Sequence, residues 1–317
     1  MNHRESSNKY LLKEFQLPSR IDRLSSSFLN DFGISLFLKR DDLIHPIVSG
    51  NKWRKLKYNV EKLQQNNNEG LLTFGGAFSN HLIACAKACQ LLGISSVGIV
   101  RGESENKNNP TLSQCIELGM QLHFISRAEY KQKDQFDFIQ NLFPRYKNYL
   151  HLPEGGANEL GIKGCTEILD EQERLYDFVT IAAGTTTTAQ GIGRSLRKEK
   201  LLVFPALKNA QYLENRMRMA EENSILKEQL NYFYGYHFGG FAKINDELIE
   251  FTRQFYNEYN IKLDLVYTAK MFYGLFEQIK AGYFSKNSTI LAIHSGGLQG
   301  NQGFEDKHQF NLFNSSC

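Results

Sequence analysis

The sequence predicts an α/β fold built on mainly parallel sheets, and three observations predict it. Short apolar runs alternate with helical patterns through most of the 317 residues. The runs are continuous rather than alternating in polarity, as in strands covered on both faces. A content of 25 Gly against 6 Pro suits a chain with many tight strand-to-helix turns. The strands are read at Leu36–Leu38, Leu71–Phe74, Ser96–Val100, Leu122–Ile125, Phe178–Ala182, Leu201–Phe204 and Thr289–Ile293. Between them, Trp53, Leu56, Val60 and Leu63 recur at helical spacing, and so do Leu248, Phe251 and Phe255.

The chain is longer than the roughly 100–200 residues of a usual domain, so two domains or one large α/β unit are expected. No repeat or low-complexity linker marks a boundary. A hydrophobic share of 41% and a charged share of 22% are those of an ordinary globular protein. The net charge of +3, from 37 Lys and Arg against 34 Asp and Glu, is too small to point to nucleic acid. The densest basic cluster is Lys52, Arg54, Lys55 and Lys57, and its last three residues read as a solvated helix face. Cys85, Cys89, Cys115, Cys165 and Cys317 form no CxxC pair and no Cys/His cluster, so no metal site is expected. Cys85 and Cys89 stand i, i+4 in an apolar run and read as small buried thiols. The polar start, Met1 to Asn8, lacks the apolar core of a signal peptide. No apolar stretch reaches the roughly 20 residues of a membrane span. A reducing, cytoplasmic setting with no membrane partner follows as the expectation.

Sheets of this kind bind ligands beyond the carboxyl ends of their strands, on the turns leading into helices. Four segments fall there. In Ser49-Gly50-Asn51-Lys52, which follows Lys39-Arg40-Asp41-Asp42-Leu43, Lys52 opens an amphipathic helix just after a glycine. Helix N–H groups nearby disfavour its protonated form and favour a reactive amine, although a plain surface lysine has the same spacing. In Gly75-Gly76-Ala77-Phe78-Ser79-Asn80-His81, Ser79 reads as an N-cap or as a hydroxyl offered to a carboxylate; Asn80 and His81 are ligand groups or structural ones. In Gly184-Thr185-Thr186-Thr187-Thr188, consecutive threonines at a helix start supply hydroxyls beside free N–H groups, which suits a phosphate. His294-Ser295-Gly296-Gly297 closes a late strand and by itself marks only a turn.

Taken together these segments resemble the fold-type II, tryptophan-synthase-β-like pyridoxal-phosphate enzymes. Among them the likeness is to the group of 1-aminocyclopropane-1-carboxylate deaminase and D-cysteine desulfhydrase. The Lys-Arg-Asp-Asp-Leu…Gly-Asn-Lys-x-Arg-Lys-Leu segment carries it most specifically. The Gly-Gly-x-x-Ser-Asn-His turn, the run Gly155–Gly161, and Asp264-Leu265-Val266-Tyr267-Thr268-Ala269-Lys270 follow in the family's order. The resemblance implies a two-domain, three-layer parallel-sheet fold. A larger cofactor-binding domain would comprise residues 1–56 with 166–317, a smaller one residues 57–165, and the cofactor would lie in the cleft between them. It implies Lys52 as the Schiff-base lysine that also moves the α-proton, and pyridoxal 5'-phosphate as cofactor. Ser79, Asn80 and His81 would meet substrate, Asn80 would hold the cofactor's phenolic oxygen, and Gly184 to Thr188 would hold its phosphate. Ser295 would hydrogen-bond the pyridine nitrogen, a neutral partner that suits elimination, and Tyr267 would be a catalytic phenol. It also implies a homodimer and a small amino-acid substrate.

Two departures tilt the expected activity toward D-cysteine desulfhydrase. Ala292 stands where the resemblance implies a second catalytic tyrosine, and His81 stands where the deaminase has Gln. Tyr232, Tyr234 and Tyr236 read as packing residues or as a replacement phenol. The rival classes are a protein that binds pyridoxal phosphate without turnover and a nicotinamide-binding α/β protein. The second needs a G-x-G-x-x-G turn with a following acid, which the chain lacks.

Overall fold

The computed structural model describes residues 14–102, 109–170, 176–220 and 228–313. The polar start Met1–Asn8 and Cys317, read above, lie outside them. Among the described residues the strands are β1 (Ile21–Leu24), β2 (Ser35–Lys39), β3 (Gly70–Gly75), β4 (Ser95–Arg101), β5 (Met120–Ile125), β6 (Leu150–Leu152), β7 (Phe178–Ala183), β8 (Lys200–Pro205), β9 (Leu230–Tyr232) and β10 (Thr289–Ile293). Four helices bear on function: α1 (Asn51–Gln65), α2 (Asn80–Leu92), α3 (Thr187–Ser195) and α4 (Thr268–Lys280). The chain divides into two compact units. Among the described residues, one holds 14–16 with those of His45–Gly164, the other Leu17–Ile44 with those from Cys165 to Phe313. The sequence reading grouped residues 45–56 with the larger domain; this division groups them, Lys52 included, with the first unit.

The first unit carries a parallel four-stranded sheet in the order β5-β4-β3-β6. Every residue of β3 is buried, as expected for a strand with neighbours on both sides and cover on both faces. Leu72, Phe74, Val97 and Ile99 pack with Tyr130, Ile139 and Tyr146. Helix α2 lies so near the sheet that a Cβ on Gly75 would stand 2.7 Å from Leu82 Cγ.

The second unit carries a six-stranded sheet in the order β1-β2-β10-β7-β8-β9. All its pairings are parallel except that of β1 with β2. The two-residue period of a strand splits β10 between two cores. Ile290 and Ala292 join Leu36, Leu38, Phe255, Phe272 and Leu275 on one face. Leu291 and Ile293 join Val179, Ile181, Val203, Ile192 and Met217 on the other. Helix Asp246–Tyr259 and α4 supply the first face and α3 and helix Gln211–Ala220 the second, which makes the three layers expected from the sequence.

All the strands read from the sequence are present, and β1, β6 and β9 are additional. These three are short edge strands, Ile-Asp-Arg-Leu, Leu-His-Leu and Leu-Asn-Tyr. A strand paired on one side only needs no continuous apolar run, so no such signal marks them.

The Lys39–Leu43 segment is an ion network at the end of β2. Lys39 Nζ, fully buried, donates to the Ser19 carbonyl at 3.3 Å, and Ser19 Oγ donates to Asp41 at 2.5 Å. Arg40 makes a two-pronged contact with Asp42, at 2.9 and 2.8 Å, and a third with Asp22 at 3.0 Å. Burial opposes the Arg40 charge, but Asp42 and Asp22 outweigh it and raise its pKa.

In the first unit, Gly164 meets the backbone of α1, where an added Cβ would lie 1.8 Å from the Arg54 carbonyl oxygen. Gly164→Ala is therefore expected to destabilise the protein by about 2 kcal/mol or more. A lowered urea midpoint for the unit containing α1 is the measurement; an unchanged midpoint would show that the contact relaxes freely.

Candidate active site

In the first unit, Gly50 takes φ 60° and ψ −138° immediately before α1. A side chain is strained in that backbone, and glycine lets the chain turn sharply into the helix. Lys52 is the second residue of that helix, half-exposed, and its Nζ donates to Asn51 Oδ1 at 2.7 Å. At the end of β3, Ser79 caps α2: its Oγ accepts from the Leu82 amide at 3.3 Å. Such a cap contributes about 1 kcal/mol, so Ser79 has a structural use whatever else it does. Asn80 follows as the first residue of α2 and is partly exposed.

His81, expected to meet substrate, turns its ring into the interior and is 4% exposed. Its Nε2 lies 2.8 Å from Thr73 Oγ1, and that hydroxyl donates its proton to the Leu152 carbonyl at 2.9 Å. The hydroxyl is thus the acceptor toward His81, whose Nε2 carries the hydrogen. Burial, reinforced by the charges of Lys52 and Lys55, pushes the imidazole down to about 3. Cys85 Sγ stands 3.6 Å from His81 Nε2, and burial holds the thiol protonated by raising its pKa. His81 is therefore a core histidine tying α2 to β3, which corrects the expectation of a substrate ligand. The solvated face expected of Arg54, Lys55 and Lys57 is corrected too, because Arg54 and Lys55 are buried and only Lys57 is half-exposed.

In the second unit, β7 and β10 are parallel neighbours, so Gly184 and Ser295 follow adjacent strands at the same edge of the sheet. Thr186 precedes α3 with helical backbone and makes no side-chain cap. Thr186, Thr187 and Thr188 are all buried, and Thr185 Oγ1 reaches Thr187 Oγ1 at 3.4 Å. Tyr267 packs on this turn: a Cβ on Gly184 would come within 2.7 Å of its ring and 2.9 Å of its hydroxyl. Only glycine leaves the phenol that place. Ser295 is buried beyond β10.

The placement of Tyr267 rests on Asp264, named above only as part of a motif, and on Asn301, which carries no signal in the sequence. Asp264 Oδ2 accepts from the Val266 and Tyr267 amides at 3.0 and 2.9 Å, and Oδ1 accepts from Thr268 N at 2.9 Å. Asn301 Oδ1 accepts from Leu265 N at 3.0 Å, and its Nδ2 donates to the Leu263 carbonyl at 2.9 Å. An Asp a few residues ahead of a helix is a capping signal that could have found the first of these. Lys270, also buried, donates to the His237 and Gly240 carbonyls at 2.9 and 2.8 Å, while burial lowers its pKa to about 8.

Ala292 is fully buried in the β10 face that packs with Leu38 and Phe272, so it is a core position. The three tyrosines of the aromatic stretch are packing residues. Tyr232 Oη meets Met217 at 3.4 Å, Tyr234 Oη donates to Glu214, and Tyr236 Oη accepts from Gln278 at 2.6 Å.

The family described as pyridoxal-phosphate dependent enzyme matches residues 19–296. The chain belongs to that family. A Pyrococcus horikoshii protein bearing the provisional name of 1-aminocyclopropane-1-carboxylate deaminase is 28% identical over 298 residues, 87% of this chain and 89% of that protein. The bifunctional D-cysteine desulfhydrase/1-aminocyclopropane-1-carboxylate deaminase, mitochondrial, of Arabidopsis thaliana is 28% identical, over 90% of this chain and 77% of its own. The D-cysteine desulfhydrase of Serratia proteamaculans is 25% identical, over 86% and 89%. A solved structure described as an ACC deaminase homologue shares the fold with a TM-score of 0.77 at 24% identity, covering 97% of this chain and 98% of that one. The residues present fit the family's cofactor. A lysine amine opens one helix, and a threonine-lined turn with an uncapped helix start offers the hydroxyl and N–H donors that a phosphate dianion needs.

The buried, neutral His81 has a pH consequence. Its folded value of about 3 lies below the ordinary 6.5, so between those values the unfolded chain binds the extra proton and stability falls as pH falls. Against His81→Gln, the wild type is expected to lose on the order of a few kcal/mol more between pH 6.5 and pH 4. Urea titrations at the two pH values measure this, and parallel losses in both proteins would refute it.

Proposed function

We propose that this protein is a pyridoxal-phosphate-dependent lyase that removes the α-proton of a small amino acid and eliminates its β-substituent. On this reading it is D-cysteine-desulfhydrase-like, giving pyruvate, ammonia and sulfide. The observation that carries the proposal is Lys52, set one residue inside a helix beyond a left-handed glycine, in a chain of this family.

Pyridoxal phosphate, when bound, supplies the electron sink that lets a Cα–H bond of an amino acid break. The remaining tasks fall to side chains. Lys52 anchors the cofactor by its amine and afterwards takes and returns a proton at Nζ. The hydroxyls of Thr185, Thr186, Thr187 and Thr188, with the amides after Gly184, hold the phosphate. Ser295 offers the ring nitrogen a neutral hydroxyl, and Asn80 holds the phenolic oxygen. Ser79 orients the substrate, and the Tyr267 phenol moves a proton at the leaving group. His81 has no part in this beyond holding α2.

A second reading, deamination of 1-aminocyclopropane-1-carboxylate, draws support from the names of the relatives and from Tyr267. Ala292 leaves the place of the second tyrosine without a phenol, which weighs against ring opening and favours the first reading. The proposal includes a homodimer and a cytoplasmic setting. Among the described residues no helix is long and apolar enough to cross a membrane.

The purified protein should show a visible absorption band that Lys52→Ala lacks and that shifts when D-cysteine is added. Turnover is then measured on D-cysteine, L-cysteine, D-serine and 1-aminocyclopropane-1-carboxylate. Activity confined to the last favours the second reading, and a colourless wild type with added cofactor would sink both. Gly184→Ala, which displaces Tyr267 and the threonine turn together, should weaken cofactor retention about tenfold or more in a dialysis titration.

A further inference from the structure

We propose that the amide pair Asn59–Asn158 is a positioning device that sets the direction of Lys52; the inference rests on the reading of Lys52 as the cofactor lysine. Both residues lie in the first unit, and neither touches a candidate ligand group. Asn158 belongs to the Gly155–Gly161 run, a sequence motif for which the proposed chemistry has no use.

The orientation of each amide is forced. Asn158 Oδ1 accepts from the Gly161 amide at 2.8 Å, which fixes its oxygen toward the helix Glu159–Asp170. Its Nδ2 must then face the other way, and it donates to Asn59 Oδ1 at 2.8 Å. Asn59, 1% exposed, is left with Nδ2 as its donor. That group reaches the Lys55 carbonyl at 2.7 Å and returns to Asn158 Oδ1 at 3.2 Å. The chain of bonds therefore ends on the backbone of α1, three residues beyond Lys52.

The same segment grips α1 by shape. A Cβ at Gly164 would strike the Arg54 carbonyl at 1.8 Å, and one at Gly161 would strike the Gly156 carbonyl at 2.2 Å. Gly156, at φ +69°, lies where a Cβ would be 3.0 Å from Lys55 Cβ. Carbonyls 54 and 55, the side chain of Lys55 and that of Asn59 are thus all held from one side. An α-helix is stiff over a turn, so holding it there fixes the exit direction of Lys52. Misplacing a reacting group by about 1 Å can slow a reaction about a hundredfold, which gives such a grip a chemical use beyond stability.

A capping role for Asn158 alone is separable from this one. Asn158→Ser keeps a cap acceptor for Gly161 N but removes the amide pair; Asn158→Ala removes both. The readout is the rate at which pyridoxal phosphate with borohydride labels Lys52, followed by peptide mapping. The reference is Lys280 in the same sample, a lysine whose side chain is 56% exposed. Both variants are expected to label Lys52 about tenfold more slowly than wild type relative to Lys280, with the thermal midpoint of the Ser variant near that of wild type. If Asn158→Ser labels Lys52 at the wild-type rate, the positioning role is overturned while the cofactor reading stands. If wild-type Lys52 labels no faster than Lys280, the cofactor reading fails and takes this proposal with it. Should Asn158→Ala not fold, Asn158→Ser alone decides.

Discussion

Parallel pairing of β10 with β2 on one side and β7 on the other is the constraint on which the second unit depends. In a parallel sheet every carboxyl end faces one edge, and the turns that follow are gathered there however far apart they stand in the chain. The Lys39–Leu43 network, the Gly184 turn and the Ser295 turn meet at that edge for this reason. Pairing is also what makes β10 apolar on both faces. Its alternate side chains serve two cores, and a polar residue on either face would be buried without a partner. The small side chain of Ala292 belongs to this requirement.

Both units solve the problem of offering polar groups near a buried core in one way: a strand ends, a glycine turns the chain, and a helix begins. The first amides of a helix have no partner within it and are directed at whatever lies before it. Some of these starts are capped internally, as Ser79 caps α2. Others lack a side-chain cap, as at Gly50 before α1 and Thr186 before α3. Lys52 and the threonines stand at starts without such a cap, where donors remain for a bound anion, whereas Ser79 and Asn80 stand at a capped one.

Rigidity around these starts comes from close backbone approach rather than from large side chains. Gly164 against Arg54 and Gly184 against Tyr267 leave no space for a methyl group. Buried polar side chains hold the same places by hydrogen bonds that are costly to leave unmade. Asp264 and Asn301 do so around Tyr267, Thr73 around His81, and Asn59 with Asn158 around α1. Apart from Asp264, whose place ahead of a helix is a capping signal, none of these residues announces its role in the chain, because an Asn or a Thr is also an ordinary surface residue.

The amino-acid sequence determined the α/β class, the central strands and the strand-to-helix turns at which chemistry is proposed. Continuous apolar runs, glycines and threonines are local signals with local causes, and Leu71–Phe74 or Thr289–Ile293 needs nothing beyond itself to be read as a strand. Edge strands such as Ile21–Leu24 escaped because a strand covered on one side carries no such run. Tertiary structure alone decided which polar groups face inward. Arg54 and His81 are charged or titratable residues whose spacing is that of any exposed helix face, and they are buried because neighbouring segments close over them. Likewise the cluster into which Ala292 points is assembled from β2, β10 and two helices distant in the chain, and no stretch of sequence contains that neighbourhood.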